Sequence, residues 1–175
     1  MVPLELYRSY VDCQGEVKMS EWSEWRDISS VKDFAEDIGK SPGVYEIRLA
    51  DLARQSIRIS RLFGDDEEGL LAIGESVNLG RRIKEFHNAY TAGKFGRHSV
   101  GDRLFLVLMC QYSRFKTNYQ NNSWLQFRVM KLSSKADAQA EEERLLKNYF
   151  KAHGELPPLN GNMPDKNNWD EIIKM

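Results

Sequence analysis

Three groups of side chains in this 175-residue chain have the types and spacing for chemistry on a charged substrate. The first is a basic segment. Residues 81–116 carry Arg81, Arg82, Lys84, Lys94, Arg97, Arg103, Arg114 and Lys116 against only Glu85 and Asp102, although the net charge of the whole chain is −1. Phe86, Tyr90, Phe95, Phe105, Tyr112 and Phe115 are interleaved with them, and such a stretch can track a phosphate backbone. A solvated helix and loop would show the same charge run, so it gains weight only beside other signals. The second group is Arg81-Arg82. Leu79, Ile83 and Phe86 mark the inner side of a helical pattern, with Arg82 near its edge and Arg81 toward solvent. A guanidinium suits a phosphate because its fork donates two hydrogen bonds while staying charged. The third is Glu141-Glu142-Glu143. Glu142 precedes Leu145 and Leu146 by three and four, which places it one turn up an apolar face, with Glu141 and Glu143 pointing away. Carboxylate oxygens suit hard divalent cations, although the helix macrodipole alone explains some of this acidity.

Positioning these groups requires a folded core, and the composition allows one. The chain is 41% hydrophobic and 29% charged, in the ordinary range for one globular domain. Cys13 and Cys110 lack metal-ligand spacing, which argues against structural zinc and fits a reducing compartment. No secretory leader and no apolar run of membrane-spanning length is visible. The expectation is a soluble, cytoplasmic protein without a membrane partner.

The periodicity predicts a short helix over 29–38, capped by Ser29 or Ser30, with Val31, Phe34, Ala35 and Ile38 on one face. After a break at Lys40–Gly43, 43–50 reads as a strand, 51–68 as an excursion ending in an acidic turn, and 69–75 as a buried strand. A helix near 78–91 follows, capped by Ser76 or Asn78, then a Gly-rich loop over 91–102. Residues 104–112 are too uniformly apolar to distinguish strand from buried helix. A polar connection leads to a strand over 124–132 and a helix over 135–152, ended by His153-Gly154. This order predicts a small α/β (α+β) domain with a mostly antiparallel central sheet flanked by helices.

Gly43-Val44-Tyr45, the hairpin, Ala72-Ile73-Gly74-Glu75-Ser76, the arginine helix, the glutamate helix and Pro158-Leu159-Asn160 together resemble the GIY-YIG nuclease family. Each short motif says little alone. Their order carries the resemblance, with Asn78-Leu79 before Arg81-Arg82 and Ala138-x3-Glu142-x2-Leu145-Leu146 before Asn160. The likeness runs from about residue 42 to 160, which implies a nuclease-like domain over 41–162, an N-terminal extension over 1–40 packed on it, and a tail over 163–175. It further implies a metal-dependent endonuclease acting on DNA. Tyr45 would activate or position water, Arg82 would stabilise the phosphate, Glu142 would hold Mg²⁺ or Mn²⁺, and Asn160 would hydrogen-bond within the site. Phenol is a weak base, with a pKa near 10, so Tyr45 needs a neighbouring cation or metal.

The chain departs from the family pattern at two places. Ala72 stands where a second tyrosine is expected, leaving Lys84, Tyr90 or a histidine to supply the missing group. The family often has His four residues past the arginine; here that position is Phe86, with His87 next to it. A local bulge could bring His87 into the site, and His98 is the other candidate. Arg81, Lys84, Lys94, Arg97, His98 and Arg114 are the expected DNA contacts. A different reading is a catalytically degenerate module that binds nucleic acid without cutting; a more remote one is a protein-interaction domain built on exposed Trp22 and Trp25.

Overall fold

The structure, a computed structural model, describes residues 9–11, 17–19, 21–92, 96, 98–110 and 125–161, with only the backbone for 9–11, 17–19, Ala92 and 108–110. Strands β1 (Ser9–Val11) and β2 (Val17–Met19) form a small antiparallel ladder of their own. Strand β3 (Arg26–Asp27) leads through a 3-10 turn into helix α1 (Val31–Ile38). Then come β4 (Gly43–Leu49), the short β5 (Ile59–Ser60) and β6 (Asp65–Asp66), and β7 (Leu70–Ser76). Helices α2 (Leu79–Ala92) and α3 (Ser99–Cys110), strand β8 (Leu125–Lys131) and helix α4 (Lys135–His153) complete the described chain. The main sheet is antiparallel in the order β3-β8-β4-β7. This is the expected α/β architecture, a sheet flanked by helices.

β4 lies between β7 and β8, and helices cover the sheet, so every residue from Gly43 to Arg48 is buried. That is why its sequence alternates imperfectly. On one face, Tyr45, Ile47 and Ala72 pack with Leu79, Ile83, Phe86 and Tyr90 of α2. On the other, Leu70 and Ile73 meet Leu146 and Tyr149 of α4. Glu46 and Arg48, also buried, are matched by Arg128 at 2.7 Å and by Gln126 at 2.9 and 3.0 Å. Burial of these charges is tolerated because each has a partner.

The segment before residue 40 supplies more than a covering layer. β3 pairs with β8, and Ile28, Val31, Phe34 and Ile38 belong to the main core. Ser30 is the N-cap of α1, but its hydroxyl donates to the Asp27 carbonyl and gives no side-chain cap. Trp22 and Trp25 are half-buried rather than exposed. The Arg128 guanidinium lies 4.5 and 4.6 Å from their rings, and that of Arg48 lies 4.1 Å from Trp25. Both indoles are thus engaged in cation–π contacts within the domain.

Two expectations change. The apolar run after residue 104 is helical through Cys110, and the helix begins at Ser99, inside the stretch read as a Gly-rich loop. Glu141 does not point away: it is 2% exposed and bonds Arg144, with Nε–Oε2 at 2.9 Å. Arg144, one turn further on, lets a carboxylate sit against the sheet. Glu143 does pair outward, with Lys147 at 2.7 Å. Helix α4 is capped by Ser134, which accepts from the Asp137 amide, and ends at left-handed Gly154. Among the described residues no helix is long and apolar enough to cross a membrane.

Candidate active site

Tyr45 sits on β4 directly opposite Gly74 of β7. A β-carbon at residue 74 would overlap the Tyr45 ring and hydroxyl. Glycine therefore lets the phenol lie flat across β7 and carry its oxygen toward the sheet edge. Tyr45 is 1% exposed. Burial pushes its pKa up, the charge and hydrogen bond of Arg82 pull it back, and Glu142 and Glu75 add to the rise.

Arg82 reaches this point because the start of α2 is locked in phase. The Asn78 side chain accepts from the Arg81 amide, and the Ser76 hydroxyl accepts from the Asn78 amide, both at 3.0 Å. Gly80 lies against the carbonyls of Ala35 and Gly39, where a side chain would collide. Its amide bonds Gly39 O, and that of Leu79 bonds Ser41 O. With Leu79, Ile83 and Phe86 buried, residue 82 falls at the margin of the packed face.

Glu142 comes from α4, four residues before buried Leu146. The helix is tied to the start of β7 by Asp66, whose carboxylate accepts from the Glu68, Gly69 and Leu70 amides and the Tyr149 hydroxyl. Burial lifts the Glu142 pKa to about 7, with further upward pressure from Glu75; the Glu75 amide and Arg82 oppose it. Glu75 is therefore a second carboxylate in the site. Its Oε2 is buried and lacks a hydrogen-bond partner among the described residues.

Asn160 closes the outer edge of β7. Its Oδ1 accepts from the Ile73 amide at 3.0 Å, and its Nδ2 donates to the Ile73 carbonyl at 2.7 Å. The Leu159 amide bonds Leu71 O, so the two residues stand in for a neighbouring strand. Arg103 holds this segment by donating from Nη1 to Leu159 O at 2.7 Å. The covering stops beside Gly74 and Glu75, and there a cavity of about 260 Å³ opens. It is lined by Tyr45, Glu75, Arg82, Arg103, Glu142 and Asn160, with Ser99 and Val100 from the first turn of α3. Two guanidiniums face two carboxylates and a phenol. The arrangement offers cationic donors to an anion and oxygen ligands to a cation, in a space that admits a phosphodiester group and water.

Tyr45, Arg82, Glu142 and Asn160 thus meet, although they come from β4, α2, α4 and the chain after α4. Among the described residues, the other candidates do not line the cavity. His87 is half-buried with its ring against Tyr90, centroids 5.8 Å apart, and does not line the cavity. α2 contains no bulge, so the 100° step from Phe86 carries His87 off the site. Arg81 and Lys84 also lie outside it, near Glu85 at 3.8 Å and Glu36 at 3.9 Å. His98, expected as a DNA contact, is 1% exposed, and its Nε2 lies 3.4 Å from the Tyr45 hydroxyl. Burial within the core, beneath the first turn of α3, withdraws it from a surface that DNA could touch. Lys94, Arg97 and Arg114 fall outside the described residues. Ala72 is fully buried opposite Ile47, and Tyr90 is fully buried in the same core; neither lines the cavity.

Sequence reasoning missed Glu75 and Ser99, and placed Arg103 only in the basic segment, not in the site. Glu75 was within reach: it alternates with Ile73 and so faces α4, the helix that carries Glu142. Ser99 had no comparable signal, and nothing directed Arg103 to the site, because the helix bearing both was not recognisable. No protein-family model matches this chain, and no curated protein or solved structure matches it significantly.

Proposed function

We propose that this chain is a metal-dependent endonuclease of the GIY-YIG type that hydrolyses DNA phosphodiester bonds. The observation that carries the proposal is the meeting of Tyr45, Arg82 and Glu142 in one polar cavity, beside a buried Glu75 oxygen that has no partner among the described residues. The family resemblance supplies the reaction, and the geometry supports it.

The donor set fits a hard divalent cation. Among the described residues no group of three or more His, Cys, Asp or Glu is assembled to hold a metal, but Mg²⁺ commonly takes only one or two protein carboxylates and keeps its waters. Glu142 and Glu75 provide two. Burial, and after it the charge of Glu75, raises the Glu142 pKa, and a cation at the pair would offset both effects. When bound, Mg²⁺ or Mn²⁺ would supply Lewis acidity to the phosphate and a more acidic water.

The chain's own residues do the rest. Arg82 binds a non-bridging phosphate oxygen and stabilises the charge that builds on the phosphoryl group. Tyr45 stays protonated near neutrality because burial raises its pKa, so it orients the attacking water rather than standing ready as a phenolate. Arg82, lining the same cavity as that hydroxyl, ties the position of the water to that of the phosphate. Asn160 and Arg103 keep the β7 edge in place beneath the reacting group.

Incubation with supercoiled plasmid, single-stranded and branched DNA, in Mg²⁺, Mn²⁺ or chelator, tests the proposal. Cleavage in metal and none in chelator is the expected result. DNA binding without cleavage in either metal would instead favour a module that binds without cutting.

A further inference from the structure

We infer that His98 is a positioning residue for Tyr45: it holds the phenol oxygen with a fixed Nε2–H donor, so that the phenol's own proton faces the cavity. The inference rests on the reading of Tyr45 as the group that orients water. It starts from a buried imidazole that the proposed chemistry leaves unused.

His98 immediately precedes α3 and caps its first turn. Its carbonyl accepts from the Asp102 amide at 2.9 Å, and its Nδ1 accepts from the Gly101 amide at 3.2 Å. A neutral imidazole has one ring proton. With Nδ1 committed as acceptor, that proton belongs on Nε2, which lies 3.4 Å from the Tyr45 hydroxyl. The Phe86 ring, edge-on at 5.3 Å, fixes the plane of the imidazole. Burial and the nearby Arg82 charge lower the His98 pKa to about 3, so the ring stays a neutral donor at physiological pH.

The Arg82 guanidinium, which carries donors and no acceptor, lines the same cavity and acts on the Tyr45 hydroxyl. Neither Arg82 nor a protonated Nε2 can accept the phenol's proton. The acceptors available to that proton are on the cavity side, where Glu75 and Glu142 stand. His98 thereby acts from the start of α3, a place that neither Ala72 nor His87 can reach.

Long-range ¹H–¹⁵N spectroscopy on uniformly labelled protein tests this directly. The chain has three histidines, and the His98 signals are those lost in His98→Gln. We expect a protonated Nε2 and an unprotonated Nδ1, unchanged between about pH 5 and 8. A protonated Nδ1, or titration near the ordinary histidine pKa, would overturn the inference. Turnover gives a second readout. His98→Gln retains an N–H donor and should keep kcat, whereas His98→Leu should lose about tenfold or more, with KM for plasmid unchanged. Equal loss in both variants, or a loss confined to KM, would refute the positioning role. Should His98→Leu not fold, the tautomer and the glutamine variant carry the test. If the wild type does not cut DNA, the nuclease reading fails, while the tautomer still decides the His98–Tyr45 contact.

Discussion

Tyr45 and Gly74 face each other across the β4–β7 ladder so closely that a β-carbon on residue 74 would overlap the Tyr45 hydroxyl. Gly74→Ala must therefore push the phenol out of its place. We expect a stability loss of about 1–3 kcal/mol, the usual cost of overpacking, and a fall in DNA cleavage of at least about tenfold. Thermal melts and plasmid nicking measure the two effects. An alanine variant with unchanged melting and full activity would show that the close approach has no consequence.

Glu142 predicts an unusual pH dependence. Its folded pKa of about 7 lies above its ordinary value of 4.5, so the folded state holds the proton more tightly than the unfolded state. Stability of the metal-free protein should then fall as pH rises from about 4.5 to about 7, and the loss should be complete above that range. Glu142→Gln removes this slope. In chelator above pH 7 the glutamine variant should melt higher than the wild type, while Mg²⁺ should raise the melting temperature of the wild type more. Parallel melting curves across this pH range would contradict the assignment.

Asn160 makes two hydrogen bonds to the Ile73 backbone. Asn160→Ala leaves both backbone groups without that partner and should cost about 1–3 kcal/mol. The Ile73 amide should exchange with solvent faster in the variant, read by hydrogen exchange. No change at Ile73 would mean that the Asn160 clamp does not protect the β7 edge.

Arg103 brings a second guanidinium to the cavity. Arg103→Gln should weaken DNA binding in chelator and reduce the salt slope by about one phosphate contact. Binding titrations at several salt concentrations measure it. An unchanged slope would confine Arg103 to holding Leu159.

Much of this arrangement was legible in the sequence because helical phase and buried residues agree. Leu79, Ile83 and Phe86 placed Arg82 at the edge of a packed face, and Leu146 placed Glu142 one turn above buried contacts. What failed had physical reasons. An apolar run without periodicity concealed α3, and with it Arg103, Ser99 and the capping role of His98. Glu141 reads as solvent-facing because a sequence does not show that Arg144 neutralises it against the sheet. Trp22 and Trp25 gave no sign of the arginines that cover them, which lie on distant strands. Long-range pairings of charge are invisible to periodicity.

The measurement that tests the central claim most directly is nicking of supercoiled plasmid by purified wild type, Glu142→Gln and Arg82→Ala, each with Mg²⁺, Mn²⁺ or chelator. Glu142→Gln keeps the shape but removes the charge of the proposed metal ligand, and Arg82→Ala removes the proposed phosphate clamp. We predict metal-dependent nicking by the wild type and a loss of at least about 10²-fold in each variant, the scale of a lost transition-state contact. DNA binding in chelator should survive Glu142→Gln and weaken only modestly in Arg82→Ala. No nicking by the wild type in either metal, or nicking at the wild-type rate by Glu142→Gln, would contradict the account.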